Sequence, residues 1–365
     1  MLRRAELPAR TADPLQPRRE RRSGEPSACE LRAPRATVSE KMSNPVEDYR
    51  LERISPRAYE HPADRAATAA LKAVPHLDTV VGKVIEFGYE RALRRGVLGS
   101  AVRLGEDQLG AVWRAHADAY DTLDLEPVPD LYLTQWPIAN ALTFGAGQPI
   151  VVVNSELVQL LDADQLRGVF AHEAGHVLSE HVLYRTALVI LLRLSALPGV
   201  PLPLFPLRAA LMEWFRAAEL SCDRAAALVI RDPLAVCRTL MVITAGTEAA
   251  NLDLDVFMRQ SQDYREKVHP FDRFSRLLID LNLTHPMSVQ RVHELMEWVK
   301  AGDYDRIVGG AYISRDEPQR PRADAGDAVA HYSERFRDTF RDLGDSISDA
   351  GQQLSEWLRR ARDTG

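Results

Sequence analysis

Twelve residues, FAHEAGHVLSEH from Phe170 to His181, hold three histidines and two glutamates, and the segment around them must fold as a helix. Leu166, Val169, Phe170, Ala174 and Val177 recur at the spacing of one helical face, and Asp162 stands three residues before Gln165, the arrangement that caps a helix start. Residues four apart on a helix share a face at about 6 Å, so His172 and His176 can aim two imidazoles at one ion. Glu173 lies about 100° around from His172, within reach of water beside that ion but not placed to ligate it. This is the mechanical content of His-Glu-x-x-His.

A hydrolytic zinc takes three protein ligands and keeps a fourth position for water, so a third ligand is required. An extended motif with a further histidine fails, because the positions it needs hold Ser179 and Val182. A second helix carries AAELSCDRAAAL, in which Glu219 and Asp223 share a face. Two acids on an otherwise apolar helix require a reason. Glu219 can bind the ion while Asp223 accepts a hydrogen bond from the far nitrogen of a ligand histidine. His181, five residues after His176, is turned off the ligand face and reads as a supporting or packing histidine.

The rest of the chain frames this site. Apolar residues at helical spacing from about 66 to 103, continued in DQLGAVWRAHADAYDTL, predict lead-in helices. The period then changes, and Asn140 to Phe144 and Pro149 to Val153, separated by GAGQ, predict a β-hairpin. Further helices are expected from Leu207 to about Ile230, ended by Pro233, and around Leu234 to Ala249 and Pro286 to Lys300. The very apolar run at 186–207 is broken by Arg193 and four prolines, which reads as a buried helix and apolar loop rather than a span, with peripheral membrane contact left open. Residues 1–41, crowded with Arg, Pro, Glu and Ser, form a disordered N-terminal arm without a signal-peptide core. Residues 42–308 hold the lead-in and catalytic domain, with its core at about 106–300. A linker at 309–326 leads to an amphipathic helix at 327–365, whose apolar seam offers a surface for self-association.

Composition excludes some classes. The net charge of −6 comes from interspersed charges of both signs, so no nucleic-acid partner is expected. Three cysteines are too few for a disulfide framework; Cys222 and Cys237 read as small buried apolar residues in a reducing, cytoplasmic setting.

Three blocks, NALTFGAGQPIVVVNSELVQLLDADQLRGVFAHEAGHVLSEH, AAELSCDRAAAL and THPMSVQRVHEL, occur in an order that resembles the gluzincin metallopeptidases that include HtpX and the CAAX prenyl endopeptidases. The likeness covers about Asn140 to Leu295. It implies an α+β, predominantly helical fold, a zincin-type catalytic domain with a small β-hairpin or sheet beside the His-Glu-x-x-His helix. It further implies a zinc endopeptidase acting on protein or peptide, with one Zn2+ per chain held by His172, His176 and Glu219, and Glu173 as general base. By the same resemblance Asp223 supports His172, His285 is a donor to the oxyanion with Arg291 six residues beyond it, and the strand Pro149 to Val153 pairs with extended substrate. The familiar members are integral membrane proteins, whereas the apolar insert here is short and broken. A zinc-holding chaperone-like or latent module with little turnover is the alternative.

Overall fold

The computed structural model describes residues 49–317, except 75–76, 78–80, 83–84, 86–89, 136–138, 195–203 and 267–287. The N-terminal arm at 1–41, His285 and the expected helix at 327–365 lie outside the described residues.

The fold is α+β and mainly helical. Its described elements are helix α1 (Pro62–Lys72), α2 (Glu90–Ser100), strand β1 (Val102–Arg103), α3 (Gly110–Thr122), β2 (Asp130–Thr134), β3 (Ala141–Phe144), β4 (Ile150–Asn154), α4 (Ser155–Leu160), α5 (Ala163–Leu178), α6 (Val182–Leu194), α7 (Leu204–Ile230), α8 (Pro233–Ala245), α9 (Leu254–Glu266), α10 (Ser288–Lys300) and α11 (Asp303–Val308).

Helix α5 begins where the capping residues require. The Asp162 carboxylate accepts from the Gln165 backbone N–H at 2.9 Å, and the Gln165 side-chain oxygen accepts from the Asp162 N–H at 3.1 Å, so two otherwise orphaned donors are satisfied reciprocally. The helix is buried on nearly all sides, packed against α7, α3 and α8 with β3 beside it. Gly175 permits the closest approach to α7: a Cβ there would lie 3.0 Å from the Ala225 Cβ and 3.3 Å from the Cys222 Cα. Helix α7 ends at Ile230, and Asp232 restarts the chain by accepting from the N–H groups of Leu234 and Ala235, with Pro233 in the first turn of α8.

The sheet has strand order β1-β2-β4-β3, with β2 and β4 parallel and the other pairs antiparallel. The predicted hairpin is present as β3 and β4, each within one residue of the expected bounds. The expected role of its second strand is corrected here. β4 is hydrogen-bonded to β2 on one side and β3 on the other, so it has no edge to offer a substrate; of the hairpin's two strands only β3 lies at an edge of the sheet, the other edge being β1. Alternation puts Leu131, Ala141, Val151 and Val153 in the main core beneath the helices, while Tyr132, Phe144, Ile150 and Val152 form a separate cluster with Leu93 and Val97 of α2.

A second core joins α1, α6 and α7. Ala187, Leu188, Ile190 and Leu191 are buried in it, which gives the apolar run beyond Thr186 an internal partner. Among the described residues no helix is long and apolar enough to cross a membrane.

Candidate metal centre

Two helices distant in sequence bring the four central residues together. Glu219 Oε1 on α7 stands 3.0 Å from His176 Nε2 and 3.4 Å from His172 Nε2, both on α5. Metal bonds of about 2.0–2.1 Å at tetrahedral angles separate ligand atoms by about 3.3 Å, so this donor set has the dimensions of a zinc-type site. The other Glu219 oxygen faces Arg291 Nη1 at 3.1 Å, which fixes the carboxylate with Oε1 turned toward the histidines. Asp223 lies one turn further along α7, and its Oδ1 is 3.1 Å from His172 Nδ1. The Asp223 carboxylate can only accept, so His172 Nδ1 carries a proton and donates it there. Arg291 on α10 donates from Nε to Asp223 Oδ2 at 2.7 Å and from Nη2 to Asp223 Oδ1. All six predicted site residues that lie within the described chain, His172, Glu173, His176, Glu219, Asp223 and Arg291, are thus brought into one buried cluster.

Three partners were not foreseen. Arg185 on α6 grips Glu173 with two nitrogens, Nη1 to Oε2 at 2.7 Å and Nη2 to Oε1 at 3.3 Å, and Thr143 on β3 donates its hydroxyl to Glu173 Oε2 at 2.7 Å. Cys222 is the third. One ligand atom each from His172, His176 and Cys222 lie within 4.8 Å of one another, a second donor set that competes with Glu219. Burial pushes the Cys222 thiol well above its ordinary range, so it stays protonated beside Glu219 and is a poor ligand without losing that proton. Glu219 Oε1 is aimed at both rings, which makes it a candidate third donor beside Cys222.

The electrostatics carry a deficit of positive charge. Three buried carboxylates, Glu173, Glu219 and Asp223, face two guanidiniums, Arg185 and Arg291. Burial would hold His172 neutral, yet Glu219 and Asp223 together raise it to about 9, so without metal a proton occupies this ring. His176 goes the other way, lowered to about 3 by burial and by the Arg185 cation. Burial alone would raise Glu173, but Arg185 foremost, with the histidines, holds it down at about 2, so the carboxylate is ionised at neutral pH. A site that draws in a proton to balance its carboxylates suits a divalent cation.

A cavity of about 50 Å³ opens on His172 and Glu173, lined also by Asn140, Ala141, Val169 and Leu240, with room for water beside both residues. A larger, mostly apolar cavity of about 470 Å³, lined by Leu93, Val97, Leu142, Phe144, Val152 and Ile190, lies toward α2; Asn140 and Ala141 border both.

Residues 106–299 match the description Peptidase family M48. The chain is also similar to "Plastoglobule-localized metallopeptidase 48, chloroplastic" of Arabidopsis thaliana, 31% identical over 261 residues that span 68% of this chain and 74% of the relative. This chain belongs to peptidase family M48. Two proteins named "Protease HtpX homolog" are more distant: the one from Ralstonia pickettii is 27% identical over 207 residues (49% of this chain, 70% of the relative), and the one from Salinibacter ruber 24% over 192 residues (47% and 68%). No solved structure matches the chain. As an M48 member it is a metallopeptidase, and its substrates are proteins or peptides. The M48 segment contains the His-Glu-x-x-His helix, Glu219, Asp223, Arg185 and Arg291, but begins well after α1.

Proposed function

We propose that this M48 peptidase is a zinc-dependent endopeptidase in which His172, His176 and Glu219 hold one ion per chain and Glu173 is the general base. The observation that carries the reading is the convergence of one Glu219 oxygen on both Nε2 atoms, at 3.0 and 3.4 Å, across helices 43 residues or more apart in sequence. A bound zinc ion would polarise the scissile carbonyl and acidify water in the cleft, and two imidazoles with one carboxylate are the donor set commonest for it. Glu173, ionised at neutral pH, accepts the proton of the attacking water and returns it to the leaving amine. Thr143 and Arg185 hold that carboxylate in place while it works. Asp223 and Arg291 keep His172 in the tautomer that presents Nε2. An extended substrate pairs with β3, the edge strand, whose residues Asn140 and Ala141 lead into the cavity beside His172. His285 is retained as the donor to the oxyanion on the strength of the resemblance. Burial of Ala187, Leu188, Ile190 and Leu191 argues against membrane attachment through these four residues.

Glu173→Gln should reduce cleavage of casein or a quenched peptide by at least about 100-fold while zinc content stays near one per chain. His176→Ala should lose the metal. Cleavage that survives Glu173→Gln unchanged would sink the role of Glu173, and a purified wild type without metal would sink the site.

A further inference from the structure

Asp64 is a carboxylate on α1 at 1% exposure, outside the segment that matches M48, and no step above employs it. Three side chains stand within hydrogen-bond distance of it. Ser221 Oγ donates to Oδ2 at 2.5 Å, Thr68 Oγ1 donates to Oδ1 at 3.2 Å, and Nε2 of His181 stands 3.2 Å from Oδ2. The other ring nitrogen of His181, Nδ1, is 3.2 Å from Nδ1 of His176. His181 and His176 are as buried as Asp64, at 2% and 0%.

With a metal ion on Nε2 of His176, one proton arrangement of the neutral rings satisfies the two remaining contacts of the line. Nε2 of His176, the atom turned toward Glu219, would then be the metal donor, which leaves the ring's proton on Nδ1, donated to His181 Nδ1. His181 then carries its own proton on Nε2 and donates it to Asp64. Each ring thus has one donor and one acceptor, and the line ends on a charged oxygen held by two hydroxyls.

We propose that Asp64 and His181 are positioning residues for His176: the buried carboxylate, acting through the His181 ring, fixes the His176 tautomer and orientation and increases its strength as a metal donor. His172 obtains the same service from Asp223 within the M48 segment, whereas His176 obtains it from α1, so the lead-in helix is part of the metal site. This rests on the assignment of His172, His176 and Glu219 as the ligands.

The test uses the full chain stripped of metal, with zinc alone as the probe, titrated in competition with a chromophoric chelator. Asp64→Asn should weaken zinc binding about 10- to 100-fold, the usual consequence of removing a partner behind a ligand histidine. His181→Phe keeps an aromatic ring against Trp214 and should weaken it comparably. Because both changes break one line, the double variant Asp64→Asn/His181→Phe should be no weaker than the worse single; lacking a lone buried charge, it also serves where a single variant fails to fold. Leu71→Ala loosens the packing of α1 without touching the relay and should leave zinc affinity within about 3-fold of wild type. Wild-type affinity in Asp64→Asn or in the double variant, losses that multiply in the double, or an equal loss in Leu71→Ala would each overturn the proposal. A wild type that takes up no zinc overturns the ligand assignment first and the relay with it.

Discussion

The separation of α5 from α7 should be the quantity that sets metal affinity, and Gly175→Ala changes it with one methyl group. The added Cβ would meet the Ala225 Cβ at 3.0 Å and the Cys222 backbone at 3.3 Å, with the Cys222 sulfur at 3.4 Å. Carbon atoms rest at about 3.5–4.0 Å, so the helices must part by about 0.5–1 Å, since neither a methyl nor a backbone atom can swing aside. Overpacking of this kind costs about 1–3 kcal/mol, offset by about 1 kcal/mol because alanine replaces glycine inside a helix; the net loss is about 1 kcal/mol. Gly168 on the same helix is the control. A Cβ there reaches only the flexible end of Ile230, at 3.4 Å, so Gly168→Ala should gain up to about 1 kcal/mol. Urea denaturation of the metal-free proteins should therefore separate the two variants by about 2 kcal/mol. Zinc affinity should separate them further, because donor atoms tolerate displacements of only about 0.2 Å and Glu219 moves with α7. At least a 10-fold loss is expected for Gly175→Ala, a change of about 1.4 kcal/mol or more, against none for Gly168→Ala. If Gly175→Ala matches Gly168→Ala in both stability and zinc affinity, the helix approach does not define the site.

Two other perturbations test the buried charges. Arg185→Met leaves the buried Glu173 carboxylate with the Thr143 hydroxyl but without its cation and should destabilise the metal-free protein by about 3–5 kcal/mol, whereas Arg185→Met/Glu173→Gln should recover most of that loss; a double variant no better than the single would refute the pairing. His116 is fully buried and donates from Nε2 to the Pro129 carbonyl, and burial lowers it from 6.5 to about 4. Its folded value lies below its unfolded one, so the unfolded chain takes the proton first: the contribution is complete above about pH 6.5 and is lost as pH falls toward 4. Between pH 7 and 5 wild type should lose about 2 kcal/mol more than His116→Gln in urea titrations, and equal losses would refute the neutral buried ring.

What could be read in the sequence and what could not divides by range. The start of α5 is legible because its cap lies wholly within Asp162 to Gln165, and the His172, Glu173 and His176 geometry because a helix of known pitch contains all of it. Glu219 and Asp223 were legible by a different route, since acids in an apolar helix must be partnered. The same reasoning was available for Arg185, which opens the apolar run of α6 and is fully buried, but a charge beside a run reads equally well as its solvated flank. Asp64 carried no signal at all. It sits in the first turn of α1, where a carboxylate is expected for the helix dipole alone, and only packing of α1 on α7 turns it toward His181. β4 is legible as a strand, but its neighbours are a matter of tertiary pairing: β2 joins it in parallel across the intervening β3, so β4 has no free edge. His181 shows the boundary most clearly. Helical pitch is the wrong guide to its position, since α5 ends at Leu178 and Glu180 has a φ of 58°; its Nδ1 meets His176 Nδ1, and that the far side of its ring finds a carboxylate depends on a contact between residues 117 positions apart, which no local pattern encodes.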